Sequence, residues 1–498
     1  MGKDVLLIGF YNEKALGVRY LANALNTGGY NAHILYFKEF NSVNPSKAGE
    51  KELDLLEDLI NKIKPSYIGL SVMSSLYLES VYLVNNRIRE KFDIPIIWGG
   101  VYTTLFPEEV LKYGDYAIRG ESEIPLVELL DTLERGEDPF DIENITLYNR
   151  QGEIIKNPLR PLVQDLDTLG YPKIGGKNIY FIHNNEMSYG DPQVKGFTYE
   201  LTASRGCPFA CSYCSSVNLR RTYVGGGKYV RFRSVDSVME ELKEAKSAIK
   251  NLKVIHFWDE IFSDEEGWVE EFKERYKSEI GIPFKIWGHP LKTSERIISN
   301  LVDAGLYQIV VGIQSGSVRV RKDIFHRRET QEEIIDASRV LSKCKVPKVI
   351  YDFMLQHPFE TLEDLKETYR LCLKLEPPFE LQLHGLNFLP GTDIVDKAID
   401  AGLLSKEELD KIMYSSIQDQ YDMYWGPAAV NQLNEDSTWI ALIYLTQFPG
   451  LRSKVEKLAK EAEKGSETGT AIRLQKFMKQ VTRFRSLMGK AKLVISGG

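Results

Sequence analysis

Three cysteines lie close together in the run CPFACSYC. Cys207, Cys211 and Cys214 directly follow a strand-like segment at 197–204, and Gly206 and Pro208 interrupt regular structure around them. The thiols therefore lie on a loop, where their sulfurs can converge on one metal centre. Only five cysteines occur in the 498 residues, so this clustering favours a metal site over three separate buried thiols.

Zinc and an iron–sulfur cluster are the two candidates for this centre. A structural zinc site is normally closed by four Cys or His ligands. The other cysteines, Cys344 and Cys372, are far away in the sequence, and no histidine lies near the loop. Three thiolates instead suit a cubane cluster that keeps one iron open. The sequence favours the cluster, with zinc as the alternative.

The CxxxCxxC spacing, with aromatic Tyr213 just before the last cysteine, resembles the signature of the radical S-adenosylmethionine (SAM) superfamily. The resemblance implies a [4Fe-4S] cluster held by Cys207, Cys211 and Cys214. It also implies that SAM binds the open iron through its amino and carboxylate groups, with Tyr213 near the adenine. An external electron donor is then required.

The elements that precede the cysteines alternate between strand and helix signals. Short apolar strands between amphipathic helices predict a parallel sheet covered on both faces, in a doubly wound, Rossmann-like domain at 1–140. Strands are predicted at 5–8, 32–37, 67–71, 94–98 and 116–118, and helices at 15–25, 50–63, 78–89 and 124–133.

Small residues follow several of these strands. In such sheets ligands bind at the carboxyl ends of the strands, where glycine lets a planar ligand approach the backbone and serine can bond its edge. The alternative, which the spacing favours equally, is that these small residues only form tight strand-to-helix turns. The absence of GxGxxG argues against NAD. The residues are Gly9, Ser71, Ser74, Ser75, Gly99 and Gly100.

The segments LSVMSS (70–75), WGGVYTTLFPEE (98–109) and GDYAIRGESE (114–123) resemble the cobalamin-binding domain that precedes many radical SAM enzymes. The resemblance adds Tyr102, Thr103, Gly120 and Glu121 to the six strand-end residues as cobalamin contacts. No DxHxxG motif supplies a cobalt-ligating histidine, so cobalamin is expected with its own base off and no histidine on cobalt.

Residues 141–195 are predicted to be a linker, and a second alternating series begins at 196. Six strands and five helices predict a partial (β/α)6 TIM-type barrel at 196–400, followed by a helical region at 401–498. The strands are expected near residues 198, 254, 284, 309, 349 and 381, and the helices at 235–250, 267–278, 292–304, 331–344 and 361–376.

Polar residues at two barrel strand ends are candidate SAM contacts. HFWDEIF presents Asp259 and Glu260, and VGIQSGS presents Gln314 and Ser315. Both segments resemble radical SAM motifs, and solvated polar caps are the alternative. In YVRFRS, Arg231 or Arg233 is expected either to pair with a carboxylate or phosphate or to lie in a solvated basic hairpin.

The composition bounds the class of protein. A net charge of -7 argues against nonspecific nucleic-acid binding, and no stretch is long and apolar enough for a membrane span, so a cytoplasmic protein is expected. The tail is different, because residues 471–498 carry seven Lys or Arg and no acid. A basic amphipathic helix is predicted at 474–487, packed on its own domain or docked to an acidic partner or a membrane surface.

The resemblance implies an anaerobic C-methyltransferase. SAM cleavage gives a 5'-deoxyadenosyl radical that abstracts hydrogen from an unactivated carbon, and methylcobalamin supplies the methyl group. A peptide or protein substrate is preferred because of the basic tail. The alternatives are a tetrapyrrole or natural-product cyclase or other oxidative enzyme, and a non-enzymatic cobalamin and iron–sulfur sensor. Pure electron-transfer clusters are generally ligated fully by protein, which argues against a carrier.

Overall fold

The computed structural model describes residues 3–40, 45–425 and 435–464, together with Leu474 and Phe477. The chain divides into two compact units. The first comprises residues 1–287, 300–307 and 388–421, and the second comprises 288–299, 308–387 and 422–498. Within the described ranges, no helix has the length and apolar character needed to cross a bilayer.

The first unit begins with a parallel sheet in the order β5-β4-β3-β1-β2. Its strands are buried along most of their length, as expected where helices cover both faces. The doubly wound fold is therefore confirmed. The elements are β1 Asp4–Phe10, α1 Leu16–Thr27, β2 Asn31–Phe37, α2 Glu50–Ile63, β3 Tyr67–Ser71, α3 Leu78–Lys91, β4 Ile96–Gly99, α4 Val101–Leu105, α5 Pro107–Val110, β5 Tyr116–Ile118 and α6 Glu123–Glu134.

Residues 141–195 do not form a separate linker but extend this sheet to nine strands. One hairpin pairs antiparallel with β5, and the other pairs parallel with β2. Arg19 of α1 also binds Asp191 through two buried contacts of 2.9 and 2.5 Å. The elements are β6 Ile145–Tyr148, β7 Ile154–Lys156, β8 Ile179–His183, β9 Glu186–Tyr189 and α7 Pro192–Lys195.

The second alternating series contains all six predicted strands and all five predicted helices between them. The α/β class is confirmed. The elements are β10 Thr198–Leu201, β11 Ser204–Arg205, α8 Ser215–Thr222, β12 Arg231–Phe232, α9 Val235–Ala248, β13 Val254–Phe257, α10 Glu266–Arg275, β14 Phe284–Gly288, α11 Glu295–Ala304, β15 Leu306–Gln314, α12 Gln331–Lys343, β16 Lys348–Met354, α13 Leu362–Cys372 and β17 Glu380–His384.

These strands pair in parallel within each unit. In the first unit β10 pairs with β13, and β13 with β14. In the second unit β16 pairs with both β15 and β17. Thr330 and Thr361 cap the N-termini of α12 and α13 with capping boxes. In each box the threonine hydroxyl accepts a backbone N–H of the first turn, and an acidic side chain of that turn accepts the backbone N–H of the threonine.

Helices make up most of the described chain after β17. They are α14 Asp393–Asp400, α15 Lys406–Met413, α16 Ile417–Trp425, α17 Glu435–Leu445 and α18 Arg452–Glu463. In the second unit the ring of buried Trp439 meets that of Tyr369 of α13 edge-on, with centroids 5.4 Å apart. The predicted basic helix at 474–487 lies outside the described residues except for Leu474 and Phe477.

Candidate active site

The cysteine loop is set between a short β-ribbon and a helix. Strand β11 ends at Arg205, Gly206 turns the chain with φ of +93°, and α8 begins directly after Cys214. A side chain at Gly206 would collide with the backbone of Tyr229, so the turn requires glycine. The backbone N–H of Cys214 donates to the carbonyl of Cys211 at 3.1 Å. The three thiols are half-buried and form no disulfide.

The electrostatics of the loop fit a metal cluster. Burial, with smaller contributions from Glu260 and the neighbouring cysteines, raises the pKa of Cys207 to about 12 and that of Cys214 to about 11. The thiols of Cys207 and Cys214 are therefore protonated at neutral pH, and metal binding must displace their protons. In the described part of the chain, no three His, Cys, Asp or Glu side chains are arranged to hold a single metal ion. A cubane does not need such convergence, because each cysteine binds a different iron. The loop fits the cluster better than zinc.

Asp259 and Glu260, both predicted SAM contacts, have different surroundings. Asp259 is 2% exposed, and its carboxylate accepts the N–H of Ala203 at 3.1 Å and the hydroxyl of Ser204. It thus fixes the chain just before the cysteine loop. Glu260 lines a cavity and accepts the hydroxyl of Ser216 at 2.9 Å, and burial raises its pKa. The third predicted contact in this unit, Tyr213, is half-buried.

Gln314 and Ser315, the remaining predicted SAM contacts, lie in the second unit. Gln314 has φ of +70°, and its amide donates to Asp352 at 3.4 Å. Its amide oxygen is buried and has no hydrogen-bond partner among the described residues, so it is available to a ligand donor. Ser315 is fully buried, and its hydroxyl accepts the N–H of Ser317 at 3.2 Å. Its side chain therefore stabilises a turn.

A cavity of about 400 Å³ lies at the carboxyl ends of strands in the first unit. One wall carries four of the predicted cobalamin contacts, Ser71, Gly100, Gly120 and Glu121. The facing wall comes from the cysteine-loop region and includes Arg205, Gly206, Leu219, Tyr223, Trp258 and Glu260. No histidine is among its described lining residues. The carboxyl ends of the sheet strands and the residues that flank the cysteine loop therefore line one cavity.

The other six predicted cobalamin contacts lie outside this cavity. Gly99 lines a smaller pocket beneath it, beside Ser71. Gly9 packs against Val18 of α1, so it serves helix packing. Ser74 accepts the N–H of Leu76, the Thr103 hydroxyl donates to the carbonyl of Gly99, and the ring of buried Tyr102 lies 5.1 Å from that of Phe106. Ser75 is buried, and its hydroxyl has no hydrogen-bond partner among the described residues.

Several residues of the cavity were not singled out in the sequence. The Thr104 hydroxyl donates to the carbonyl of Gly100 and accepts the N–H of Gly120, both at 2.8 Å, which joins two strand ends. Arg231 pairs with Glu121, and Arg233 pairs with buried Glu241, so the ion-pair expectation for YVRFRS is confirmed. Glu121 lies 110 positions from Arg231 in the sequence, and only the position of Thr104 inside a cobalamin-like segment signalled its role.

Comparisons with known proteins agree with this layout. The B12 binding domain model matches residues 6–130, and the radical SAM superfamily model matches residues 201–372. The matched ranges contain the strand-end wall of the cavity and the cysteine loop, respectively. The chain belongs to the cobalamin-dependent radical SAM family. A [4Fe-4S] cluster, SAM and cobalamin are the cofactors that these two domains imply.

Two curated relatives of this family member are similar over most of its length. An uncharacterised methyltransferase, PH0819, from Pyrococcus horikoshii is 26% identical, over 70% of this chain and 72% of that protein. The anaerobic magnesium-protoporphyrin IX monomethyl ester cyclase of Rubrivivax gelatinosus is 24% identical, over 72% of this chain and 62% of the cyclase. The similarity therefore extends to a methyltransferase and to a cyclase.

Solved structures of the radical SAM methyltransferase TsrM from Kitasatospora setae share the fold. One contains tryptophan substrate and a SAM analogue, and it matches with a TM-score of 0.63 at 16% identity, over 80% of this chain and 77% of TsrM. Another contains cobalamin and a [4Fe-4S] cluster and matches with a TM-score of 0.62. The fold of this cobalamin-dependent radical SAM protein is thus that of an enzyme that holds both cofactors.

Proposed function

We propose that this enzyme is a C-methyltransferase that acts on an unactivated carbon. When bound, the cluster and SAM would supply a 5'-deoxyadenosyl radical to abstract hydrogen from substrate, and cobalamin would supply the methyl group. The observation that carries the proposal is the cavity shared by Gly100 and Gly120 on one wall and by Gly206 and Glu260 on the other. This arrangement supports delivery of both reactive groups to one substrate carbon.

The residues of the chain would contribute binding, orientation and exclusion of water. Cys207, Cys211 and Cys214 would hold the cluster, and the loop geometry set by Gly206 and Asp259 would orient it. Apolar side chains line much of the cavity, including Leu16, Leu21, Val101, Leu162 and Leu219. They would keep water from a reactive radical.

A cyclase or other oxidative reaction is the second candidate, because a cyclase is among the relatives. The two reactions differ in their products, since only a methylase transfers carbon from SAM. A peptide or protein substrate remains a proposal based on the basic segment 471–498. An external electron donor is needed in either case.

The test uses anaerobically reconstituted enzyme, a low-potential reductant and SAM carrying a trideuteriomethyl group. Extract of the source cells is separated into small-molecule and protein fractions, and each is incubated with wild-type enzyme or with Cys211→Ala. Mass spectrometry that finds the trideuteriomethyl label on carbon, only with wild type, supports the proposal. Label in the protein fraction supports a polypeptide substrate, and label in the small-molecule fraction contradicts one. Formation of 5'-deoxyadenosine with an unlabelled, oxidised product contradicts methylation and favours the cyclase.

A further inference from the structure

Two arginines face each other at the base of the cysteine loop. Strands β11 and β12 pair antiparallel and place Arg205 directly opposite Arg231. Like charges at opposed positions of a ribbon are unfavourable unless other groups neutralise them. Arg205 lies two residues before Cys207. The groups that neutralise the two arginines therefore also help to fix the position of the start of the cysteine loop.

Both arginines are neutralised by glutamates that follow β5 in the cobalamin domain. Arg231 binds Glu121 through two contacts, Nη1 to Oε2 at 3.0 Å and Nη2 to Oε1 at 2.7 Å. Arg205 binds Glu123 at 2.6 Å and approaches Glu121 at 3.3 Å. We call these four residues the arginine clamp. Bidentate pairing fixes orientation as well as distance, which suits a positioning role.

The clamp is shielded from water. The side chain of Arg231 is 4% exposed and that of Glu121 is 21% exposed. The Arg231 guanidinium also donates to the carbonyl of Val163 at 2.8 Å, which ties in residues between the two domains. Surface ion pairs contribute little because water and salt screen them, whereas breaking a buried pair leaves an uncompensated charge.

A tyrosine that follows the cysteines in the sequence contacts the same loop of the cobalamin domain. Tyr223, which directly follows α8, accepts the backbone N–H of Glu121 at 2.8 Å. Its ring also fills the space beside Gly120, where a Cβ would lie 2.7 Å from the ring Cζ. The loop at 120–123 is therefore held by residues that precede the cysteines and by one that follows them.

We propose that the arginine clamp and Tyr223 are positioning residues that set the distance and orientation between the bound corrin and the iron–sulfur cluster. The inference rests on the proposed function only in that both cofactors bind in the shared cavity. Breaking the clamp lets the strand ends move relative to the cysteine loop while the three cysteines and the other predicted cobalamin contacts stay unchanged. Transfer between the cofactors is then impaired more than the chemistry of either one.

The first test measures geometry and not activity. Arg231→Met, Glu121→Gln and the double variant are reconstituted anaerobically with iron, sulfide and hydroxocobalamin and then reduced, and pulsed EPR measures the distance from cob(II)alamin to the reduced cluster. Arg221→Met is the matched control, because Arg221 on α8 makes a bidentate pair with Asp393, which lies outside the cobalamin domain. We expect a broadened or displaced distance in all three clamp variants and an unchanged distance in the control.

The second test separates two reactions that need no unidentified substrate. With titanium(III) citrate as the electron source, cob(I)alamin takes the methyl group of SAM: the S–CH3 bond breaks with its electron pair on sulfur, and S-adenosylhomocysteine and methylcobalamin form. Reductive cleavage takes one electron, passed from titanium(III) through the cluster, and splits SAM into methionine and the 5'-deoxyadenosyl radical. The radical becomes 5'-deoxyadenosine by abstracting hydrogen from the buffer or reductant, so this reaction needs no cobalamin. We expect the ratio of the first rate to the second to fall about tenfold or more in the clamp variants, because misplacement of reacting atoms by about 1 Å can cost about a hundredfold in rate.

The outcomes distinguish the clamp from the function. A double variant no worse than either single variant supports the clamp, since paired residues are non-additive. An unchanged distance and ratio in the variants contradicts the clamp, as does an equal loss of both reactions at the wild-type distance. Wild-type enzyme that forms neither methylcobalamin nor 5'-deoxyadenosine contradicts the proposed function instead. If the arginine variants do not fold, Tyr223→Phe provides the same test, with a smaller change expected in the same direction.

Discussion

Tyr223 packs against Gly120 so closely that no side chain fits between them. A Cβ on Gly120 would lie 2.7 Å from the Tyr223 ring Cζ and closer still to its hydroxyl. Gly120 also has φ of +75°, a conformation that favours glycine. Tyr223, which follows α8, is therefore in direct contact with Gly120 at a strand end of the cobalamin domain.

Gly120→Ala is expected to destabilise the protein more than a glycine substitution without a neighbour. Gly136 is the matched control, because it has φ of +71° and no atom lies within 4 Å of its would-be Cβ. We expect Gly136→Ala to cost about 1 kcal/mol and Gly120→Ala at least about 2 kcal/mol more in denaturant unfolding. Adding Tyr223→Ala to Gly120→Ala should recover part of the loss. Equal costs at both glycines would contradict the packing account.

Cys211→Ala is expected to abolish the cluster. Iron content should fall from about four atoms per chain to near zero, with loss of the charge-transfer absorbance of the cluster. Cys344→Ala is the control, because Cys344 lies in the second unit and should leave iron content unchanged. Iron uptake by wild type should also rise from pH 7 to pH 9, since burial raises the pKa values of Cys207 and Cys214. Zinc in anaerobically purified protein would refute the assignment.

Arg233→Met is expected to be strongly destabilising. Arg233 and Glu241 form a pair that is 3% and 0% exposed, and Glu241 also accepts the hydroxyl of Tyr199 at 2.6 Å. Removing one partner of a buried pair leaves an unpaired charge, which costs about 3–5 kcal/mol. Arg339→Met, at a pair on the surface of α12, should leave the denaturation midpoint unchanged. Similar midpoints for both variants would count against the buried pair.

Asp259 is expected to make stability depend on pH. Burial raises the pKa of Asp259 to about 6 from 3.8. Because the folded value is the higher one, the protonated acid favours the folded state below the unfolded pKa, and this contribution is lost as the pH rises through about 6. Asp259→Asn should therefore flatten the decline in unfolding free energy between pH 4 and pH 7, by up to about 3 kcal/mol. Urea denaturation at each pH measures the unfolding free energy. The same pH dependence of this free energy in wild type and in Asp259→Asn would contradict the prediction.

Local sequence patterns predict much of the fold. The structure places α2 at Glu50–Ile63 and β3 at Tyr67–Ser71, the bounds expected from apolar periodicity. The strands at 141–195 were missed because they are short, lie at sheet edges and are partly polar, as in Ile154–Lys156. Their pairing with β5 and β2 depends on tertiary context that a local pattern does not carry.

The residues of the candidate site likewise divide into those that a local sequence pattern predicts and those whose roles depend on tertiary contacts. The cysteine spacing predicts the cluster ligands because three thiols within one loop are local information. The pairing of Arg231 with Glu121 joins residues 110 positions apart, so no spacing rule could find it. Asp259 has the residue type and strand-end position expected of a SAM contact, and only its burial shows that it bonds the chain at Ala203 instead.

The most direct measurement is the stoichiometry of SAM products per methylated product in an anaerobic assay once the labelled product is known. A radical C-methylation with cobalamin as methyl donor consumes two SAM molecules, so one 5'-deoxyadenosine and one S-adenosylhomocysteine should accompany each methyl group transferred. Formation of 5'-deoxyadenosine without S-adenosylhomocysteine and without a methylated product would contradict the account.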